Sequence, residues 1–83
     1  MEGYRVYLHL DLIEALPGQS RQKRRILAFL RWLEQRPFAP GDFTDRDASL
    51  RVREIKIIGD YAVTYWADHP AKAVMVVDIQ KAD

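Results

Sequence analysis

Eighty-three residues leave room for one core and no second domain. With 48% hydrophobic and 30% charged residues, the chain has globular rather than disordered composition. Cysteine is absent, which excludes disulfides, thiolate metal sites and thiol nucleophiles, and a formal net charge of +1 lacks the basic excess of a dedicated nucleic-acid binder. Two histidines fall short of a usual zinc ligand set. No apolar run approaches the roughly 20 residues of a membrane span, and Met1–Arg5 has no signal-peptide pattern. The expectation is therefore a cytoplasmic protein with no membrane span, metal or cofactor.

From the N-terminus, Tyr4 to Leu10 alternates apolar and polar residues, the period of a strand. Asp11 can then cap a short helix over Leu12 to Leu16, which Pro17-Gly18 stops. Ser20 is a good N-cap for a longer helix reaching about Arg36, in which Ile26, Phe29, Leu30 and Leu33 share one buried face. Pro37 ends it, because the residue before a proline avoids the α region. Phe38 to Ser49 reads as a loop, with turn and capping chemistry at Asp42, Asp45 and Asp47. A calcium loop fails there, since no glycine makes the needed turn and no glutamate closes it.

Three strands follow, Leu50 to Ile58, Tyr61 to Ala67 and Ala73 to Ile79. Gly59-Asp60 is a two-residue hairpin signal, and Asp68 to Lys72 is a slightly longer turn. Connections this short force antiparallel neighbours. The predicted order is β-α-α-β-β-β, an α+β fold with a helical hairpin packed on a mainly antiparallel four-stranded sheet. Val63, Tyr65, Val74, Met75, Val76 and Val77 supply the sheet side of the core, with the inward alternate set left open.

Several segments together carry a family likeness. They are the opening Tyr4-Arg5-Val6, the two helices ending near a proline, and Arg53-Glu54-Ile55-Lys56. Gly59-Asp60-Tyr61-Ala62-Val63-Thr64-Tyr65-Trp66 and the final Val76-Val77-Asp78-Ile79 complete the set. In order and spacing this resembles the RelE/ParE superfamily of bacterial type II toxins, the plasmid-stabilisation-like proteins, over nearly the whole chain. The resemblance implies a toxin of a toxin–antitoxin module, wrapped and neutralised by a cognate antitoxin. Its RelE-like branch cleaves messenger RNA in the ribosomal A site, and its ParE-like branch inhibits DNA gyrase without being an enzyme. Ala62 stands where the family often carries arginine, and the chain ends at Gln80-Lys81-Ala82-Asp83 without the family's basic and aromatic tail.

Ribonuclease chemistry of this kind needs RNA positioning, a proton acceptor, and cations to stabilise phosphorane-like charge. That makes Arg53, Lys56 and Lys81 the candidate catalytic residues, against the simpler reading of solvated, cross-strand charges. Strand alternation puts Glu54 and Lys56 with Val52, and Arg51 with Arg53 on the other face. Lys23, Arg24, Arg25 and Arg51 are candidate nucleic-acid contacts. With Arg21, Arg31 and Arg36 against Glu34, the long helix forms either a phosphate-binding face or a solvated one. The same face also suits an acidic partner helix. His9 and His69 read as surface or turn residues, and Trp66 as packing or an interface anchor. Two further readings stay open: a non-catalytic protein of this fold acting by protein binding, on gyrase or another partner, and a homodimer formed through an exposed sheet edge.

Overall fold

The structure, a computed structural model, describes residues 3–14, 16 and 21–81. The elements are β1 (Arg5–Leu8), α1 (Leu10–Glu14), α2 (Arg21–Leu33), β2 (Phe43–Arg46), β3 (Val52–Ile58), β4 (Tyr61–Asp68) and β5 (Ala73–Lys81). They build one five-stranded sheet in the order β1-β5-β4-β3-β2, with α2 across one face. Strands β2 to β5 form an antiparallel meander, and β1 adds in parallel to β5 through Val6↔Val74 and Leu8↔Val76.

The sheet has one strand more than the sequence predicts. The added strand, β2, lies inside the segment read as a loop. Phe43-Thr44-Asp45-Arg46 is too short and too polar to signal a strand by itself. It pairs because β3 offers a free edge and because Asp42 first ties the chain down. The Asp42 amide donates to the Ile55 carbonyl at 2.8 Å, and its side chain accepts the Ile57 amide at 2.8 Å. Asp47 shapes the turn into β3 by accepting the Ser49 and Arg51 amides at 2.8 and 3.0 Å. That turn holds Leu50 at φ +64° and delays β3 to Val52.

The helical ends also differ. β1 stops at Leu8 and α1 starts at Leu10, so Asp11 lies inside the first turn rather than ahead of it. His9 takes the capping role, its Nδ1 3.2 Å from the Asp11 amide and its carbonyl accepting the Leu12 amide at 2.9 Å. α2 ends at Leu33, three residues before the predicted end. There the Glu34 and Gln35 amides reach back only three residues, to Arg31 and Trp32, and the Glu34 carbonyl turns away to accept the Tyr4 amide at 3.3 Å. Ser20, the predicted cap of α2, lies outside the described residues.

The core forms where Ile26, Leu30 and Leu33 of α2 meet Ile58, Val63, Tyr65, Val74, Val76 and Ile79 of the sheet. Ile26, Leu33, Val63 and Val74 are fully buried. Met75 and Val77 point to the other face. The register explains how: Thr64 faces Asp78 but Tyr65 faces Val76, so Val77 is an extra, bulged residue. Without that bulge, Val76 and Ile79 would fall on opposite faces; with it, both are buried. At the β3–β4 hairpin Gly59 has φ +59° while Asp60 does not, the pattern of a type II′ turn. The same glycine lets α2 approach: a Cβ there would collide with the Gln22 side chain, which donates to the Ile58 carbonyl at 2.6 Å.

Candidate functional site

Among the described residues, no helix covers the second face of the sheet. Alternation and register bring Arg5 and Tyr7 of β1, Met75, Asp78 and Gln80 of β5, and Ala62, Thr64 and Trp66 of β4 onto it. Arg53, Ile55 and Ile57 of β3 continue it, with Phe43 and Asp45 of β2. Tyr7, Phe43 and Val77 are 51%, 61% and 41% exposed, so the face presents apolar side chains to solvent at both sheet edges and on β5.

Of the charges on this face, Arg53 and Asp45 are committed to each other, whereas Arg5 of β1 forms no ion pair with another described residue. Arg53 donates to both oxygens of Asp45, at 2.9 and 2.7 Å, across the β2–β3 pair. That bidentate bond holds the Asp45 carboxyl below its ordinary value and the guanidinium above its own. Arg51 sits over Trp66, its guanidinium carbon 4.0 Å from the ring centroid, and its other partner is Asp47 at 3.2 Å. Its backbone amide is the largest cause that lowers the Asp47 pKa. At the other margin Gln80 donates to Asp78 at 2.7 Å. Ala62, the second residue of β4 beside the Gly59-Asp60 hairpin, faces Ile57 and Gln80 with no polar group to offer.

The sequence candidates do not converge. Arg53 is on the open face, whereas Lys56 is on the helix face, 3.6 Å from Asp42. Lys81 pairs with Tyr61 at the far end of the sheet, also on the helix-face side. Lys23, Arg24 and Arg25 sit on α2, across the sheet from Arg51. No group of three or more His, Cys, Asp or Glu side chains among the described residues is arranged to hold a metal, and no described helix is long and apolar enough to cross a membrane. Trp66 as the floor of the Arg51 stack and Asp45 as the holder of Arg53 were not legible in sequence. Only recognition of β2 would have placed Asp45 opposite Arg53.

On the helix side of the sheet, Tyr65 is 1% exposed and its hydroxyl donates to the Ala39 carbonyl at 2.9 Å, fastening the segment after α2 to β4. Burial pushes its phenol up from 10.0 to about 12. The neutral form is the one the fold favours. Stability from this group is therefore full below pH 10 and lost as the pH rises towards 12. In an alkaline titration followed by circular dichroism, Tyr65→Phe should flatten the loss over that range. At neutral pH it should cost about 1 kcal/mol for the lost hydrogen bond.

No protein-family model matches this sequence, and no curated protein matches it. Solved structures do. The chain aligns with an archaeal RelE–RelB complex from Pyrococcus horikoshii OT3 at a TM-score of 0.73, with 22% identity over 95% of this chain and 94% of the matching one. The fold is that of RelE. A second match, to the toxin–antitoxin complex RelBE2 of Mycobacterium tuberculosis, has a TM-score of 0.68 and 17% identity over 95% and 98% of the two chains. The RelE fold here keeps the antiparallel meander under a helix. Its open face holds Arg53 bonded to Asp45 and exposes Tyr7, Phe43 and Val77.

Proposed function

We propose that this chain is the RelE-fold component of a type II toxin–antitoxin pair, held by an antitoxin, and that it acts by binding protein rather than by cutting RNA. The toxin–antitoxin part draws support from the fold and its coverage end to end, since two matching structures are a RelE–RelB complex and the toxin–antitoxin complex RelBE2. The mode of action is carried by one observation. The arginine best placed for phosphate on the open face, Arg53, is doubly bonded to Asp45. Transition-state stabilisation needs cations aimed at developing charge and free to meet it. Lys56 and Lys81 face the other way, and Ala62, next to the hairpin, offers only a methyl group. What remains is a sheet face on which exposed apolar side chains alternate with polar ones and Arg53 is held by Asp45, a surface suited to another protein.

Co-expression with the reading frame that adjoins its gene, with a purification tag on that neighbour alone, should bring this chain down at fixed stoichiometry. Added to a translating extract, the free chain should leave messenger RNA uncut at codon boundaries, and overproduction should still arrest growth. Codon-linked cleavage would overturn the protein-binding reading. Failure to co-purify would overturn the pairing. A gyrase supercoiling assay then asks whether gyrase is the bound protein.

Asp45→Ala tests the commitment of Arg53 directly. The variant should lose part of its acid sensitivity, because the depressed Asp45 carboxyl contributes stability above its ordinary value of 3.8 that disappears as the pH falls below it. An acid unfolding curve as steep in the variant as in the parent would show that the pair adds nothing to the fold.

A further inference from the structure

We infer that the cleft where α2 ends against the segment leading into β1 binds a small organic cation, an alkylated ammonium group. The cleft lies on the helix side of the sheet, apart from the open face, and does not rest on the function proposed for that face.

Aromatic side chains from separate stretches of chain meet there. Trp32 comes from the last turn of α2, Phe38 from the segment after it, and Tyr4 immediately precedes β1. With Glu34, Arg36 and their chain neighbours they line a cleft of about 540 Å³, the size of a small-ligand site. Trp32 and Phe38 remain 47% and 67% exposed. Apolar residues exposed singly need no explanation, whereas several gathered at one cleft mark a binding surface. Each ring is also held in place. Phe29 backs Trp32 at 5.8 Å and itself leans on the buried Tyr65 at 5.6 Å. Phe38 packs against Tyr4 at 5.7 Å and against His69 at 4.8 Å. Tyr4 is fixed at both ends: its amide donates to the Glu34 carbonyl at 3.3 Å, and its hydroxyl lies 3.4 Å from Nδ1 of His69. Walls fixed in advance cost a ligand little ordering.

The sign of the ligand follows from the charges around these rings. Aromatic faces are electrically negative and attract cations. The negative end of the α2 dipole acts in the same direction, because this 13-residue helix stops at Leu33, beside the cleft. Glu34 and Arg36 are the charged side chains of the lining, and neither forms an ion pair with another described residue. Their formal charges cancel, which leaves the rings and the helix end to decide for a cation. An alkylated ammonium suits the cleft better than a bare one. A bare ammonium is strongly hydrated and costly to strip of water. Methyl groups on the nitrogen shed water readily and pack against ring faces, while the charge they carry is still drawn to those faces.

The test titrates the full chain with choline chloride at constant ionic strength and follows broadening of the choline methyl resonance by NMR. In parallel, Trp66→Phe leaves Trp32 as the sole tryptophan, and choline should change its fluorescence. The uncharged isostere, in which a tert-butyl group replaces the trimethylammonium, should bind about tenfold more weakly. Trp32→Ala should weaken choline binding about tenfold and Glu34→Gln about threefold. Arg36→Ala removes the one cation of the lining and should tighten it. All three residues are exposed, and circular dichroism should show each variant folded. A peptide carrying trimethyllysine separates two sources of the same group. Binding tighter than choline assigns the cleft to a modified protein tail, and binding no tighter assigns it to a free small cation. Equal affinity for choline and its isostere would overturn the inference in favour of a plain apolar groove. Tighter binding of benzoate, weakened by Arg36→Ala, would overturn it in favour of an organic acid. No broadening and no change at Trp32 with either choline or the peptide would overturn it outright.

Discussion

Leu33→Ala should lower stability by about 2 to 5 kcal/mol and the melting temperature by roughly 10 °C or more. Leu33 has no exposed surface, sits in the last turn of α2 and packs into the centre of the core. Truncation removes its transfer free energy and leaves a cavity between helix and sheet that neither layer can close, since the sheet is held by paired strands on both sides. A domain of this size is stable by only several kcal/mol, so the loss is a large share of the total. Leu27, on the same helix but 39% exposed, is the control, and its alanine variant should melt within a few degrees of the parent. The measurement is thermal unfolding of both variants side by side. Equal shifts would mean that α2 is not seated on the sheet as described.

Gly41→Ala should have the second largest effect, about 2 to 4 kcal/mol, for a different reason. A Cβ at Gly41 would lie 2.5 Å from the Ile55 carbonyl oxygen and 2.7 Å from its carbon and nitrogen. Those are backbone atoms inside β3, so no side-chain rotation relieves the contact. The strand entering β2 must lift away. It would give up the Gly41 amide bond to Glu54 at 2.8 Å and the Asp42 bonds to Ile55 and Ile57. The consequence reaches the open face, because Asp45 is carried by the same strand and would release Arg53. Hydrogen exchange at the Asp42 and Ile57 amides should accelerate in the variant while α2 amides change little. A variant as stable as the parent would show that the close approach is not required.

The sequence was most legible where local chemistry is strong. Gly59-Asp60 foretold its hairpin because a turn with positive φ asks for glycine, and the i, i+3, i+4, i+7 spacing of Ile26, Phe29, Leu30 and Leu33 foretold the buried side of α2. The RelE-like fold expected from element order is the fold observed. Strand β2 was illegible because four residues with an aspartate among them carry no period of their own; it exists by pairing. The inward set on β5 was illegible because alternation fails at the Val77 bulge, a feature of register and not of composition.

The candidate site divides in the same way. Residue types alone marked Arg53, Lys56 and Lys81 as the cations to examine, and Ala62 as a departure at the hairpin. That hairpin supports the fold and also leaves only a methyl group beside the turn on the open face. Only the tertiary structure decided what each cation does. Strand parity sends Lys56 to one face and Arg53 to the other, the unpredicted β2 delivers Asp45 to Arg53, and the packing of α2 turns four arginines to water. One-dimensional spacing determines which side chains share an element. Which charges meet depends on strands and helices far apart in sequence, and that is set by pairing and packing.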